Sequence, residues 1–140
     1  MTLSRLLYSG LLGLARPFLR MRLRRRARRQ AEYAEHIEER FGNYSIAANK
    51  PVIWLHAVSL GETRAAEPLV SQLLQQYPQH QIVLTHMTPT GRTAGKELFG
   101  DKVLQSYLPY DYADAVEKFL AHFKPQAGII METEICPNLF

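Results

Sequence analysis

From Val52 onward, short apolar runs alternate with helical stretches, and this alternation constrains the fold more than any other feature of the chain. The runs are partly β-branched and have the length of buried strands. Strands that alternate with helices through short loops indicate a parallel sheet with right-handed crossovers. The sequence therefore predicts an α/β fold, a Rossmann-like parallel sheet with strands Val52–Ala57, Ile82–His86, Val103–Tyr107 and Ala127–Met131.

The segments between these strands carry helix start and stop signals. Thr88 suits an N-cap and Pro89 the first helical position of a helix that ends near Phe99, before Gly100. The other predicted helices are Glu32–Phe41, which Gly42 closes, Glu62–Tyr77 and Asp111–Phe123.

The strand exits are the most informative part of the chain for function. In a parallel sheet they share one edge, and ligands bind there. The exits carry Ser59–Glu62, Thr88–Gly91, Pro109–Asp111 and Glu132–Glu134. Glu62 and Glu132 are therefore expected to face one cleft.

Glu62 has two interpretations. It follows Gly61 at a helix start, where it is a candidate general base. Alternatively, it caps the helix, and its negative charge interacts favourably with the positive end of the helix dipole. The helix starts at Glu62 and Pro89 also offer backbone N–H groups that suit an anionic ligand.

Other chemistries find little support. The sequence has no dinucleotide-binding glycine fingerprint, no P-loop and no nucleophile elbow. His56 and His86 end neighbouring strands, but two histidines without a close third ligand favour hydrogen-bonded imidazoles over a metal site. No metal site is predicted. Cys136 is the single cysteine, which excludes an internal disulfide.

The first thirty residues combine leucines at helical spacing with a cluster of arginines. The net charge of +4 is local, since removing seven clustered arginines leaves 10 basic and 13 acidic residues. Arg16 and Pro17 interrupt any window long enough to span a bilayer. We therefore expect an amphipathic helix that attaches peripherally to an anionic membrane. The apolar residues are Leu3, Leu6, Leu7, Leu11, Leu14, Ala15 and Phe18, and the arginines are Arg20, Arg22, Arg24, Arg25, Arg26, Arg28 and Arg29.

Two alternatives for this segment are less favoured. A secretory signal would place its charge before the apolar part, and here the heaviest charge follows it. A nucleic-acid-binding arm would explain the arginines but not the adjoining leucines. The predicted organisation is a membrane-associating segment over residues 1–30 and a Rossmann-like domain over residues 31–140.

Taken together, five segments resemble the N-terminal half of bacterial 3-deoxy-D-manno-octulosonic acid (Kdo) transferases. Their order and number make the resemblance specific, and it covers essentially the whole chain. The basic, leucine-rich start is also similar to the membrane-associating segment of that family. The matching segments are Glu39–Gly42 (ERFG), Trp54–Val70 (WLHAVSLGETRAAEPLV), Met87–Gly91 (MTPTG), Tyr107–Asp111 (YLPYD) and Met131–Leu139 (METEICPNL).

The resemblance implies a glycosyltransferase of type GT-B, with two Rossmann-like halves around a cleft. The N-terminal half would bind the acceptor, the tetra-acylated lipid A precursor lipid IVA. The C-terminal half would bind the donor CMP-Kdo, with no cofactor. The reaction would belong to lipopolysaccharide core biosynthesis at the cytoplasmic face of the cell inner membrane.

The resemblance also implies roles for named residues. Glu62 would be the proton acceptor, and Glu132 would contribute to transition-state stabilisation. The two turns would supply substrate contacts, at Ser59, Gly61, Thr90 and Gly91.

Two departures from the family pattern stand out. Cys136 replaces the tryptophan that the family usually has, which removes apolar surface beside the site. The chain ends at Phe140, without a donor-binding half, so it is expected to be an incomplete enzyme that is inactive alone. The alternative function is a membrane-peripheral Rossmann-like binding module without catalysis of its own, with no nucleic-acid partner.

Overall fold

The structure is a computed structural model that describes residues 3–132 and 136–139. Its centre is a four-stranded parallel sheet with strand order β3-β2-β1-β4. The predicted Rossmann-like α/β fold is therefore confirmed. The strands are β1 (Val52–His56), β2 (Gln81–His86), β3 (Leu104–Tyr107) and β4 (Ala127–Ile130).

β1 is a central strand that pairs with β2 on one side and β4 on the other. Leu55 lies opposite Leu84 of β2 and Ile129 of β4. In turn, His86 at the end of β2 lies opposite Tyr107 at the end of β3. All four strands therefore end at one edge of the sheet, as the sequence predicts.

The described part of the chain contains five α-helices, and two of the helices predicted from the sequence differ from those of the structure. The helices are α1 (Leu3–Arg29), α2 (Leu60–Ala65), α3 (Glu67–Gln76), α4 (Pro89–Phe99) and α5 (Ala113–Phe123). The predicted helix Glu62–Tyr77 breaks at Ala66, because Pro68 occupies the first turn of α3 and would lack its hydrogen bond inside a continuous helix.

The predicted helix Glu32–Phe41 is instead two short 3-10 helices, Ala31–Ala34 and Ile37–Phe41. His36 separates them with a left-handed backbone at φ 54°. Gly42 ends the second at φ 85°, as predicted.

Alternate side chains of β1 enter two separate cores, one on each face of the sheet. Ile53 and Leu55 pack against α3 and α4 side chains such as Val70 and Phe99. Trp54 packs on the other face, against α5. Covering both faces in this way is typical of parallel sheets.

Helix α1 docks along the domain through one face. Leu23 is buried in a cluster with Phe41 and Tyr112, and Leu12 and Leu19 pack against it. The Nη2 atom of Arg16 lies 2.6 Å from a carboxylate oxygen of Asp114, and Arg20 pairs similarly with Glu38 at 3.2 Å. Pro17 lies within the helix.

Another face of α1 is exposed and apolar. Its members recur every three or four residues, so they form one stripe, and Leu14 is 81% exposed. The predicted amphipathic helix is confirmed, although α1 has a second apolar face, against the domain. Among the described residues, no helix is both long and apolar enough to cross a bilayer. The stripe consists of Leu3, Leu6, Leu7, Leu11, Leu14, Phe18 and Met21.

Candidate functional site

The turn after β1 carries the candidate base. The backbone N–H of Ala57 donates to Thr85 O (3.0 Å), and the N–H of Met87 donates to Val58 O (3.0 Å). These bonds fasten the exit of β1 to the exit of β2. Helix α2 starts immediately afterwards, with Ser59 as its N-cap residue.

Glu62 is partly buried in the first turn of α2 and bends back over this exit. Its Oε2 accepts the backbone N–H of Val58 at 2.6 Å, and its Oε1 accepts the Ser59 hydroxyl at 3.3 Å. The arrangement resembles a capping box, so the capping interpretation has a geometric basis. Each carboxylate oxygen has a second lone pair that can accept from a ligand hydroxyl. Capping and proton acceptance are therefore compatible.

Buried side chains beneath the turn hold its shape. The Thr63 hydroxyl donates to Ser59 O at 2.8 Å. The Nδ1 atom of His86 lies 3.0 Å from Ala57 O and 3.3 Å from Thr63 Oγ1. A carbonyl oxygen only accepts, so Nδ1 carries the proton and His86 joins β2 to both sides of the turn.

A second buried imidazole lies at the end of β1. His56 Nδ1 and Trp54 Nε1 each lie 2.8 Å from the Thr85 hydroxyl oxygen. Burial lowers the pKa of both His56 and His86 from 6.5 to about 4, so both rings are neutral near pH 7. Within residues 3–132 and 136–139, no group of three potential metal ligands comes together. Both histidines have the hydrogen-bonded role that the sequence favours.

Helix α4 begins beside the same turn. The Thr88 side chain accepts the N–H of Gly91 at 3.1 Å and donates to Val58 O at 3.3 Å, so the predicted N-cap is confirmed. A Cβ atom on Gly91 would lie 3.1 Å from the carbonyl carbon of Ser59 and 3.3 Å from His86 Nδ1. Gly91 therefore lets α4 pack closely against the turn.

The predicted substrate-contacting residues differ in accessibility. Gly61 and Thr90 are exposed, Ser59 is partly exposed, and Gly91 is buried behind Ser59. A Cβ atom on Gly61 would have no neighbour within 4 Å, so the chain's own packing does not require glycine there. The surface beside Glu62 is open at that position.

Glu132 lies at the neighbouring exit. The backbone N–H of Met131 donates to His56 O at 3.0 Å, which continues the pairing of β4 with β1. The Glu132 side chain is exposed, and its carboxylate has no hydrogen-bond or ion-pair partner among the described residues. The structure thus places Glu62 and Glu132 at adjacent strand exits. The next predicted exit residues, Thr133 and Glu134, lie outside the described residues.

A buried ion pair near the exits is not predicted from the sequence. The Glu39 carboxylate, 4% exposed, pairs with Arg92 Nη1 at 2.5 Å and accepts the backbone N–H of Tyr107 at 2.9 Å. It joins the segment before the sheet to α4 and β3. In the sequence, Glu39 is marked only by its position in the ERFG segment, and the resemblance implies no role for that segment.

Asn138 ties α1 to the exit edge. Its backbone N–H lies 3.1 Å from both carboxylate oxygens of Asp111, and its amide nitrogen donates to Asp111 O at 2.6 Å. Its own side-chain oxygen accepts from Arg5 Nε and from the Ser9 hydroxyl, each at 3.2 Å. The exposed stripe of α1 therefore has a fixed relation to the candidate site.

These features define a class of protein. The chain is a Rossmann-like α/β domain with a candidate catalytic carboxylate at its strand-exit edge and a docked amphipathic helix. The sequence profile described as 3-deoxy-D-manno-octulosonic-acid transferase (kdotransferase) matches residues 35–140. The chain belongs to this Kdo transferase family, as its N-terminal domain.

Relatives support the same assignment. The 3-deoxy-D-manno-octulosonic acid transferase of Bordetella pertussis is 44% identical over 139 residues, covering 93% of this chain and 32% of the relative. The 3-deoxy-D-manno-octulosonic acid transferase of Haemophilus influenzae is 39% identical, covering 96% of this chain and 32% of the relative. A probable mitochondrial 3-deoxy-D-manno-octulosonic acid transferase of Arabidopsis thaliana is 37% identical, covering 95% of this chain and 30% of the relative. The chain thus spans about a third of the length of these relatives.

Proposed function

We propose that this chain is the acceptor-binding part of a Kdo transferase, which transfers Kdo from CMP-Kdo to the lipid A precursor lipid IVA. The observation that carries the proposal is the Glu62 carboxylate, held at the exit of β1 by the Val58 N–H and the Ser59 hydroxyl. A general base must be held where a substrate hydroxyl can reach it, and the open surface at Gly61 provides that approach.

Glu62 is the proposed proton acceptor. A sugar hydroxyl becomes a good nucleophile only as its proton leaves. In the proposed step the acceptor oxygen bonds to the anomeric carbon of Kdo, and its proton moves to the Glu62 carboxylate. The bond between Kdo and CMP breaks, and CMP takes the electron pair.

Glu132 has a different proposed role. The donor sugar gains positive charge as CMP departs, and a nearby anion stabilises that charge. The exposed Glu132 carboxylate, at the exit next to that of Glu62, is available for this purpose. Ser59, Gly61, Thr90 and Gly91 form the proposed acceptor-binding turns, with Gly91 acting by allowing their close packing.

Helix α1 is the proposed membrane contact. Its stripe of exposed leucines and its arginines would attach the protein peripherally to the anionic cytoplasmic face of the inner membrane. This location would bring a lipid-bound acceptor to the strand-exit edge. The supporting observation is the hydrogen bonding of α1 to Asn138, which in turn binds Asp111 at that edge.

The second candidate function, a membrane-peripheral binding module without catalysis, is supported by the same α1 stripe. Single-turnover transfer separates the two. The assay uses a full-length transferase with this chain as its N-terminal part, CMP-Kdo and lipid IVA in detergent. Transfer that depends on Glu62 supports the catalytic proposal, whereas acceptor binding with no Glu62-dependent transfer supports the binding module.

A further inference from the structure

A cavity of about 250 Å³ lies between α1 and the strand-exit edge, apart from the Glu62 turn. Three arginines line it, Arg22 and Arg26 from α1 and Arg40 from the segment before the sheet. No acidic side chain lines it, and its remaining walls are mostly apolar or aromatic, including Leu23, Met87 and Tyr110. We call it the basic cavity. Such a charge excess without a counter-charge suits an anionic group attached to a partly apolar molecule.

Arg40 is the unusual member of this set, because it is only 2% exposed. Its Nε and Nη2 atoms have no hydrogen-bond partner among the described residues. These two nitrogens lie on one edge of the guanidinium, the edge that binds two oxygens of an oxyanion in parallel. Buried N–H donors are normally paired, so this unpaired edge is an unmet hydrogen-bonding requirement of a side chain that lines the cavity.

The surroundings of Arg40 compensate its charge but not these donors. The guanidinium carbon lies 3.9 Å from the centroid of the Tyr107 ring and 5.9 Å from that of Tyr110. A ring face attracts the cation but offers no acceptor in the plane of the guanidinium to Nε and Nη2. The neighbouring carboxylate of Glu39 is already engaged by Arg92 and the Tyr107 N–H.

We propose that the basic cavity binds a phosphomonoester, with the Nε–Nη2 edge of Arg40 as its fork and Arg22 and Arg26 as flanking cations. Arginine forks match the geometry of phosphate oxygens, and two further cations match a doubly charged group. Engagement requires the guanidinium to turn toward the cavity, which Arg40 already lines. The apolar walls would receive the part of the ligand next to its phosphate.

The cavity also has a defined place relative to the Glu62 turn. Thr88 lines the cavity, and its hydroxyl donates to the carbonyl of Val58, whose N–H binds Glu62. A phosphate bound there would lie on the same edge as the candidate base. The proposal concerns binding alone, so it stands whether or not the chain takes part in sugar transfer. Its ligand has two possible sources, a soluble phosphate compound or the headgroup of a phosphorylated lipid.

The first experiment titrates the full chain with inorganic phosphate by calorimetry, at constant ionic strength. Two double variants carry the test, since each removes two exposed positive charges from α1. R22Q/R26Q changes the cavity, and R24Q/R25Q changes neighbouring arginines that do not line it. We expect phosphate affinity to fall at least about tenfold in R22Q/R26Q and less than about twofold in R24Q/R25Q. Equal losses in both, or no phosphate binding by the unaltered chain, would overturn the proposal.

Arg40→Lys tests the fork itself, because it retains the charge and removes the two-donor edge. We expect phosphate affinity at least about tenfold lower than that of the unaltered chain, on the order of a lost charge-assisted bond, with an unchanged circular dichroism spectrum. Full phosphate affinity in a folded Arg40→Lys protein would remove Arg40 from the site. If this variant does not fold, the matched pair of double variants still decides the proposal.

Vesicles distinguish the two sources. Phosphatidic acid carries a phosphomonoester headgroup and phosphatidylglycerol a diester, so vesicles with equal mole fractions of each are compared. A preference for phosphatidic acid that R22Q/R26Q loses and R24Q/R25Q keeps supports a lipid headgroup. No preference, together with cavity-dependent binding of free phosphate, supports a soluble compound. Vesicle binding that falls equally in both double variants, without phosphate binding, contradicts both.

Discussion

The Glu62 carboxylate accepts the backbone N–H of Val58 at 2.6 Å, so the candidate base is fixed to the last residues of the strand that precedes it. A side chain on the first turn of α2 thereby stabilises the geometry of its own turn. In the proposed reaction, pre-positioning of this kind would reduce the reorganisation required when the acceptor hydroxyl binds. For the proposed base, a substitution at Glu62 would change both the stability of the turn and the proposed proton transfer, so the two effects require separate measurement.

Glu62→Gln separates these effects. Glutamine retains the shape and can still accept a hydrogen bond through its carbonyl oxygen, but it cannot take the proton at neutral pH. We expect single-turnover transfer in the full-length enzyme to fall about 10²–10⁴-fold, and thermal melting to change little. Acceptor binding should persist. A near-normal transfer rate would leave Glu62 with capping alone, for which the expected cost is about 0.3–1 kcal/mol.

The buried histidines predict a loss of stability in mild acid. Burial lowers the pKa of His56 and His86 to about 4, so the unfolded chain binds protons between pH 6.5 and 4 that the folded chain does not. The contribution of the two neutral histidines to the free energy of unfolding is therefore complete above pH 6.5, and it is lost as the pH falls toward 4. Each contributes on the order of 3 kcal/mol over this window.

Urea unfolding at several pH values measures this dependence. The slope of unfolding free energy against pH reports the number of protons that the chain takes up on unfolding. His86→Gln should reduce that number by about one, whereas His80→Gln, near the surface, serves as the control and should leave the slope unchanged. An unchanged slope in His86→Gln would show that His86 titrates normally in the folded chain.

Gly91 and Gly61 provide a matched pair. Gly91→Ala places a methyl group 3.1 Å from the backbone of Ser59, and we expect a loss of about 1–3 kcal/mol in unfolding free energy. Gly61→Ala meets no neighbour within 4 Å and should be neutral or stabilising by about 0.5–1 kcal/mol. If acceptor approaches over Gly61, the same substitution should weaken acceptor binding. Equal melting temperatures for the two variants would contradict the packing role of Gly91.

Adjacent glutamates test the buried ion pair. Glu39→Gln removes the charge that pairs with Arg92 and should cost about 2 kcal/mol or more. Glu38→Gln removes an exposed pair with Arg20 and should cost less than about 1 kcal/mol. Chemical denaturation of both variants gives the comparison. Similar costs would indicate that the Glu39 pair is no more stabilising than a surface contact.

The exposed stripe of α1 predicts vesicle binding. Replacing Leu7 and Leu14 with glutamine removes two side chains that are 62% and 81% exposed. The fold should be unaffected, and the partition coefficient for anionic vesicles should fall at least about tenfold. Leu120→Gln, on the surface of α5, is the control. Higher salt should also weaken binding of the unaltered chain, and unchanged binding in the double variant would exclude the stripe as the membrane contact.

The sequence predicts the elements of the sheet well, because apolar runs, glycines and prolines act locally. Thr88 and Pro89 correctly mark the start of α4, and Gly42 correctly ends its segment. Pro68 is the missed local signal, since it breaks the helix predicted over Glu62–Tyr77. The strand order is not predictable from the alternation, which leaves open which neighbours each strand has.

The candidate site is predictable in part for the same reason. The strand exits converge because the sheet is parallel, so Glu62 and Glu132 could be anticipated at one edge. The burial of Glu39 and Arg40 could not be anticipated. Such residues are mostly exposed, and the contacts made here involve residues far along the chain, such as Arg92 and Tyr107. The docking of Leu12, Leu19 and Leu23 likewise depends on the surface that the folded domain presents.

The attachment of α1 to the sheet edge through Arg5 and Asn138 has a consequence for how the protein would work on a bilayer. A helix of 27 residues is about 40 Å long. If α1 lay flat on the membrane, it would hold the domain at a constant distance from the bilayer surface and in one orientation. The candidate base would then stay at a fixed depth relative to the leaflet. A lipid acceptor diffusing in the plane of the membrane could reach this base without leaving the bilayer.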